Sequence, residues 1–467
     1  MPRQQIINKT NSVTLACHNL TQVNTILYFI LVMGILTGIF FFSPEPLNAT
    51  PIWAPPPLSE LIQESLTNNH DLQSLESRYE SLQEEIPFAG SLDDPRIGIG
   101  LLNLPTDTFS FSQEPMTQKQ IFIAQKVPWF GKLSLRSQKQ ALQAIRQRAF
   151  INARRLELSE NIASTYYELG FVTESLSVNH KLTNLIDQIL KVAEAKYSSG
   201  KGLQQDVLQA QVEQSLLLEE KTLLLKKQRV LQNKINELLS RETFSPVLYS
   251  EQITLPEIDL PTKELQERSI KENPWLHMKQ AEIDQAKIKI DLAHKDYMPY
   301  MYFKAAYGQR DDDATGRDRP DFFSASMTLT VPLWKKKRQD SKLAAEEKGF
   351  EAAAKSYDNL ASSLPHRVDA LVTEISDTRK NYLLYRDALI LQAEQWAASS
   401  LSGYEVGKVA FDAMIHAQIR LLRLELKSRR YLFTIYQKRA ELEKTVGGPL
   451  SYQNTEIEKN GFSQESL

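Results

Sequence analysis

Three observations on the 467-residue sequence predict a mainly α-helical fold with a β-barrel portion: an internal duplication, helical patterns too long for one globular core, and four short segments that alternate apolar with polar residues. The stretch "LIQESLTNNHDL" (61–72) aligns with "LQERSIKENPWL" (265–276) at an offset of 204, pairing Leu61 with Leu265, Ser65 with Ser269, Asn69 with Asn273 and Leu72 with Leu276. At the same offset Val127-Pro128 falls on Val331-Pro332. Further on, "YSSGKGLQQDVLQAQ" (197–211) aligns with "YEVGKVAFDAMIHAQ" (404–418) at an offset of 207, so that Tyr197, Gly200, Lys201, Ala210 and Gln211 recur as Tyr404, Gly407, Lys408, Ala417 and Gln418. Three matches in one order at a nearly constant offset mark a tandem duplication.

The elements follow in chain order. Ile26–Phe42 carries no charge, follows Arg3 and Lys9, and precedes Pro44 and Ala49, the pattern of a secretory signal peptide over 1–49. The alternative is an uncleaved anchor packed through Gly34 and Gly38; either exports the remainder. The first repeat, 58–245, reads as a helix over 58–86 that ends before Pro87, a strand over 96–104, a polar loop and a strand over 119–127. The corner Pro128-Trp129-Phe130-Gly131 then leads into helical pieces separated near Gly170 and at Gly200–Gly202. The second repeat, 262–448, reads as a helix over 262–296, a strand over 300–308, a loop over 309–321 and a strand over 322–331. Pro332 and Trp334 mark its corner, and a helix follows from about 334 to 447 in which Pro365 predicts a kink or an offset. Residues 449–467 read as a disordered tail. The segments 134–198 and 338–402 would each extend about 100 Å at 1.5 Å per residue. Such helices must bury an apolar stripe in a coiled-coil-like array. The stripe candidates are Leu208, Val212, Leu216, Leu223, Val230 and Leu231 in one repeat and Ile415, Ile419, Leu422, Leu426 and Ile435 in the other.

In the strand 322–331, Phe323, Ala325, Met327, Leu329 and Val331 alternate with Ser324, Ser326, Thr328 and Thr330. Met301, Phe303, Ala305 and Tyr307 likewise oppose Tyr302, Lys304 and Ala306. Strands of about 9–11 residues with one apolar and one polar face suit a transmembrane barrel wall. The first repeat alternates less cleanly. Tyr297, Tyr300, Trp129, Phe130 and Trp334 fall where an interfacial aromatic girdle belongs. Four strands cannot close a barrel, and an open edge in hydrocarbon leaves backbone groups unpaired at several kcal/mol each. Copies of the chain must therefore complete the ring. Two copies give eight strands with a filled interior, and three give twelve, which leave a lumen.

Composition excludes several function classes. A net charge of −2 without a long basic block argues against nucleic acid. The single cysteine, Cys17, precedes the expected cleavage point, which leaves no disulfide. No GxSxG, HExxH, CxxC or P-loop pattern is present, so neither an enzyme nor a cofactor is expected. "NNHD" (68–71) reads as a solvated helix face, and Asp311–Asp313 with Arg310, Arg317 and Arg319 as a loop at the barrel mouth, rather than as metal sites.

The duplicated helix–strand–strand–helix–helix plan, the Tyr…Gly turn followed by an Ala-Gln helix, and the Val-Pro corner together resemble the TolC family of outer-membrane efflux channels, over about 58–448. "MTQKQIFIAQKVPWFGKL" (116–133) is similar to the metal-efflux branch, whose members carry a like Pro-Trp-x-Gly-Lys corner. The resemblance implies a homotrimer: a twelve-stranded barrel in outer-membrane lipid joined to a helical tunnel across the periplasm. It also implies docking on a periplasmic adaptor and an inner-membrane pump of the RND or ABC type. The corners at Pro128, Trp129, Gly131, Pro332 and Trp334 become the barrel–tunnel junctions, with Lys335–Lys337 making the second differ from the first. The helix–turn–helix tips at Gly200-Lys201 and Gly407-Lys408 become the adaptor contacts. Family positions six and nine past each tip glycine, which ring the periplasmic aperture, correspond to Asp206 and Gln209 and to Ala413 and His416, with Asp412 one residue off that face. His416 either lines the aperture, where a histidine ring would charge near pH 6.5, or packs between the tip helices. Two other readings stand beside the efflux channel for small molecules or metal ions. One is a periplasmic coiled-coil scaffold held by the N-terminal segment; the other is an outer-membrane duct for type I protein secretion.

Overall fold

A computed structural model describes residues 56–450 apart from 244, 248, 250–252 and 257–260. The predicted signal peptide and residues 451–467 of the predicted tail lie outside the described residues. The first repeat contains α1 (Pro56–Asn68), α2 (His70–Gly90), β1 (Arg96–Leu102), β2 (Gln118–Val127), α3 (Lys132–Ser198) and α4 (Gln204–Leu238). The second contains α5 (Thr262–Glu272), α6 (Pro274–Lys295), β3 (Met301–Gln309), β4 (Phe322–Leu329), α7 (Ser341–Leu384), α8 (Ile390–Glu405) and α9 (Phe411–Val446). Single π-helical turns at Lys336–Asp340 and Tyr385–Leu389 precede α7 and α8.

The duplication is visible in side-chain duties. Asn69 and Asn273 adopt the same extended backbone, cap α2 and α6 by accepting from the N–H of Leu72 (3.1 Å) and Trp275 (2.9 Å), and donate to the carbonyls of Leu238 (3.1 Å) and Thr445 (2.9 Å). Each therefore ties a short N-terminal helix to the far end of its own repeat. α4 and α9 also end alike: Ser240 and Gly447 take positive φ, and the N–H groups of Arg241 and Gly448 reach the carbonyls of Asn236 (2.9 Å) and Glu443 (3.0 Å).

One sheet joins the repeats. β1 pairs with β2 and β3 with β4, and β2 pairs with β3 across the repeats from Lys119–Gln309 to Val127–Met301, all antiparallel. The order is β1-β2-β3-β4, so the outer edges of β1 and β4 have no strand partner among the described residues. The main core lies where α3 meets α4 and α9, around Tyr166, Tyr167, Ile235, Phe433 and Tyr436. A second core joins Val368, Leu371 and Ile375 of α7 to Leu265, Ile435, Leu442, Val446 and Leu450.

Several expectations are corrected. The helix predicted over 58–86 is two helices, because Asn69 caps a new start, and it continues through Pro87 to Gly90. A proline in a last turn forfeits one hydrogen bond where little helix remains to disrupt. No break occurs at Gly170: α3 is continuous for 67 residues, and a Cβ there would lie 2.1 Å from Cε2 of Tyr249. That glycine makes room for a ring rather than ending a helix. α7 runs through Pro365 as well, and the register shifts come at the two π turns, each of which inserts one extra residue into a turn. Pro449 and Leu450, assigned to the tail, are held: Arg268 donates to the Pro449 carbonyl (3.0 Å) and Leu450 is buried. Of the two apolar stripes, Ile415, Ile419 and Ile435 are buried, but Leu208, Val212, Leu216, Leu223 and Val230 are each more than half exposed. Within α4 the chain buries Ala210, Leu217 and Ile235 instead.

Candidate functional site

Strand alternation sorts the sheet into two faces. One face carries Ile97, Ile99 and Leu101 of β1, Ile121 and Ile123 of β2, Phe303 and Tyr307 of β3, and Phe323, Met327 and Leu329 of β4. Cross-strand neighbours on it form the rows Ile97–Ile123–Ala305–Ala325 and Ile99–Ile121–Tyr307–Phe323. These side chains are bare: Ile99 is 85% exposed and Phe323 75%. Among the described residues no helix covers them. An uncovered apolar face spanning four strands is a surface made for lipid. The opposite face presents Gln120, Lys304, Ser324, Ser326 and Thr328. Among the described residues no helix is long and apolar enough to cross a membrane.

Below the sheet, two corners lead into the helices. Pro128 is buried immediately after the last paired residue of β2, Trp129 is half-buried, and Gly131 takes φ +81° as the N-cap of α3. The Lys132 N–H closes this turn on the Trp129 carbonyl (3.1 Å). The second corner has no glycine. After a last ladder bond from the Thr330 N–H to the Tyr300 carbonyl (3.0 Å), Pro332 is half-buried, Trp334 stands exposed, and the chain enters the π turn. Beside the corners Asp296 receives both Lys132 and Lys342, the latter at 2.6 Å. Lys132 is almost fully buried, and its ammonium lies 4.3 Å from the centroid of the Tyr300 ring. Burial by itself would raise the Asp296 carboxyl, but hydrogen bonds and charge from Lys132 and Lys342 outweigh it and hold it below its usual value. This cluster locks the start of α3 to the end of α6 and the start of α7. No sequence pattern signalled it, because its members are 132, 296 and 342.

At the other end of the helices the tips superpose in chemistry. Gly200 and Gly407 have φ +72° and +73°, and Lys201 and Lys408 donate backbone N–H groups to the carbonyls of Lys196 and Gly403, both at 2.8 Å. All four tip residues are exposed. The left-handed backbone explains both glycines. The tips share a core of Ile186 and Ile189 from α3, Ala210 and Leu217 from α4, and Phe411, Met414 and Ile415 from α9. Of the residues expected at the aperture, three come together: Asp412 accepts from Gln209 (2.7 Å) and lies 3.0 Å from Nε2 of His416. Asp206 is half-buried in the first turn of α4, and Ala413 is exposed beside Asp412. Thus His416 does not pack into the tip core; it stands on the surface as an Asp412 partner.

The acidic clusters are otherwise employed. Asp71 pairs with Arg154 (2.9 Å), Asp311 with Lys119 (2.9 Å), and Asp313 accepts from the Thr315 and Arg317 backbone to shape its loop. Arg319 and Arg310 lace the two outer loops together by donating to the carbonyls of Ser112, Glu114 and Pro115. Among the described residues no group of three or more His, Cys, Asp or Glu side chains is placed to hold a metal ion.

Comparison with solved structures finds the same fold in outer-membrane channels. CusC matches with a TM-score of 0.71 at 14% identity, covering 84% of this chain and 92% of that one. The outer membrane protein VceC of Vibrio cholerae matches with a TM-score of 0.71 at 17% identity, over 84% and 96%. The CmeC outer membrane channel of Campylobacter jejuni matches with a TM-score of 0.70 at 14% identity, over 84% and 86%. A comparison with curated protein sequences finds no match. The family model described as outer membrane efflux protein matches residues 61–238 and 265–448, one match per repeat. With two matches that span most of the chain and a sheet whose bare face suits lipid, the chain belongs to the outer membrane efflux protein family.

Proposed function

We propose that three copies of this chain close a twelve-stranded barrel in the outer membrane, and that their helices continue it as a tunnel through the periplasm, forming the passive exit duct of a tripartite efflux system. The observation that carries this reading is the sheet: among the described residues it has an uncovered apolar face and two outer edges without a strand partner. In hydrocarbon those edges demand partners, and neighbouring copies supply them as β4 against β1. The exposed stripe from Leu208 to Val230 on α4 supports the same assembly, since apolar residues at helical spacing that face away from their own core suit a neighbouring helix.

On this reading Gly200, Lys201, Gly407 and Lys408 are the tips that meet a periplasmic adaptor, which couples the duct to an inner-membrane pump of the RND or ABC type. Asp206, Gln209, Asp412, Ala413 and His416 surround the aperture. The hydrogen bond from Gln209 to Asp412 joins α4 to α9 and acts as its latch, with His416 beside Asp412 one turn along α9. Cargo is small molecules or metal ions, the latter suggested by the Pro-Trp-x-Gly-Lys corner and the likeness to CusC. A periplasmic scaffold is disfavoured because it would leave the apolar face of the sheet uncovered in water.

The test is purification from outer-membrane fractions, followed by cross-linking and planar-bilayer conductance. A detergent-requiring trimer is expected, with a conductance that rises in Gln209→Ala, where the latch is cut without a change of charge. A water-soluble monomer would refute the reading.

A further inference from the structure

The polar face of the sheet carries charge of one sign. Its charged strand residues are Arg96, Lys126 and Lys304, and none of the four strands contains an aspartate or glutamate on either face. Register sets the first and last of these at one level: Arg96 lies opposite Ala124, Ala124 opposite Lys304, and Lys304 opposite Ser326. Lys126 stands in the adjoining row with Tyr302 and Thr328.

Neither Arg96 nor Lys304 has a carboxylate within ion-pair distance among the described residues, whereas Lys126 is offset by Asp93 at 3.7 Å. Lys304 is instead held over the Phe122 ring, 4.2 Å from its centroid. That ring lies across Gly98, where a Cβ would come within 2.5 Å of it. The glycine thus lets Phe122 lie flat on the face, and the ring props the ammonium. On the membrane-side corner, exposed Lys335, Lys336, Lys337 and Arg338 add cations just below.

Charge rings of one sign set the ion preference of a pore, and rings of arginine and lysine favour anions. Resting on the trimeric channel proposed above, we infer that the Arg96–Lys304 row makes the barrel lumen anion-selective, so that anionic and neutral small molecules are the cargo class this duct passes, and a bare divalent cation is the class it resists. A metal would traverse it as an anionic complex.

The experiment is the reversal potential of the full chain in planar bilayers under a potassium chloride gradient, read as the chloride-to-potassium permeability ratio. The ratio is expected to be about threefold or more at roughly 0.1 M salt, where an unpaired charge reaches about 10 Å, and to approach unity at about 1 M, where it reaches about 3 Å. Arg96→Gln with Lys304→Gln should bring the low-salt ratio close to unity while trimer mobility is retained. A wild-type ratio at or below one, or a ratio unchanged in the double variant, overturns the inference and leaves the channel standing. Absence of any conductance from both wild type and Gln209→Ala overturns the channel and the inference together.

Discussion

At Asn69 and Asn273 a single side chain both caps a helix and bonds to the distant end of its repeat, through the carbonyls of Leu238 and Thr445. Replacing either with alanine removes an N-cap worth about 1 kcal/mol and strands a carbonyl worth about 1 kcal/mol more. Asn273→Ala should cost the more of the two in thermal melts, because its bond is buried and that of Asn69 is only partly so. At the corner, Lys132→Met leaves Asp296 with Lys342 alone. Breaking a pair this buried should cost about 3 kcal/mol at neutral pH. The pH dependence has a definite sign. The Asp296 carboxyl is held below its ordinary value of 3.8, so its contribution is complete above that value and is lost as the pH falls through the folded value. Urea melts of wild type and variant should therefore differ widely at pH 7 and converge below pH 3.8.

Among the elements, α3 and the ends of α4 and α9 allow the sharpest tests. Helix propensity alone says that Gly170→Ala should stabilise by about 1 kcal/mol. The Tyr249 ring, 2.1 Å from the added carbon and itself wedged against Tyr166 and Phe433, says the reverse. Overpacking costs about 1–3 kcal/mol, so destabilisation should win. The same substitution in a Tyr249→Ala background should become stabilising, and a melting series of the four proteins decides it. Ser240 occupies, with φ +55°, the left-handed position that glycine fills at 447. A non-glycine residue there costs about 1–2 kcal/mol, offset in part by the greater freedom glycine brings to the unfolded chain. Ser240→Gly should raise stability by about 0.5–1 kcal/mol in the same assay.

For the whole molecule, the decisive surface is the one the isolated chain leaves uncovered. Ile99→Lys puts a charge midway along β1 on the bare apolar face, at a cost of about 2–4 kcal/mol near a bilayer midplane. Outer-membrane fractionation should show loss of inserted trimer while the far-UV helical signal of the chain is kept. Normal insertion of that variant would mean that this face does not meet lipid.

The strands, their alternation and their limits were legible to within a few residues, because period-two patterning and turn prolines are local. The tip turns were equally legible, since only glycine adopts their left-handed backbone without strain. Less of the candidate site could be read. The sequence marks Gln209, Asp412 and His416 as near the tips, and the four-residue spacing of Asp412 and His416 sets them on one helix face, but that Gln209 donates to Asp412 depends on how α4 packs against α9. The Lys132–Asp296–Lys342 cluster and the Asn69 and Asn273 tethers span more than a hundred residues each, so no window of sequence contains them. By itself the sequence determined a duplicated chain of long helices and four two-faced strands, because repeat offsets and hydrophobic periods are carried by neighbouring residues. Only the tertiary structure decided that β2 zips against β3 to merge both repeats into one sheet, that the α4 stripe faces outward, and that Arg96 and Lys304 share a level. These are facts of register and packing, set by contacts between segments far apart in the chain.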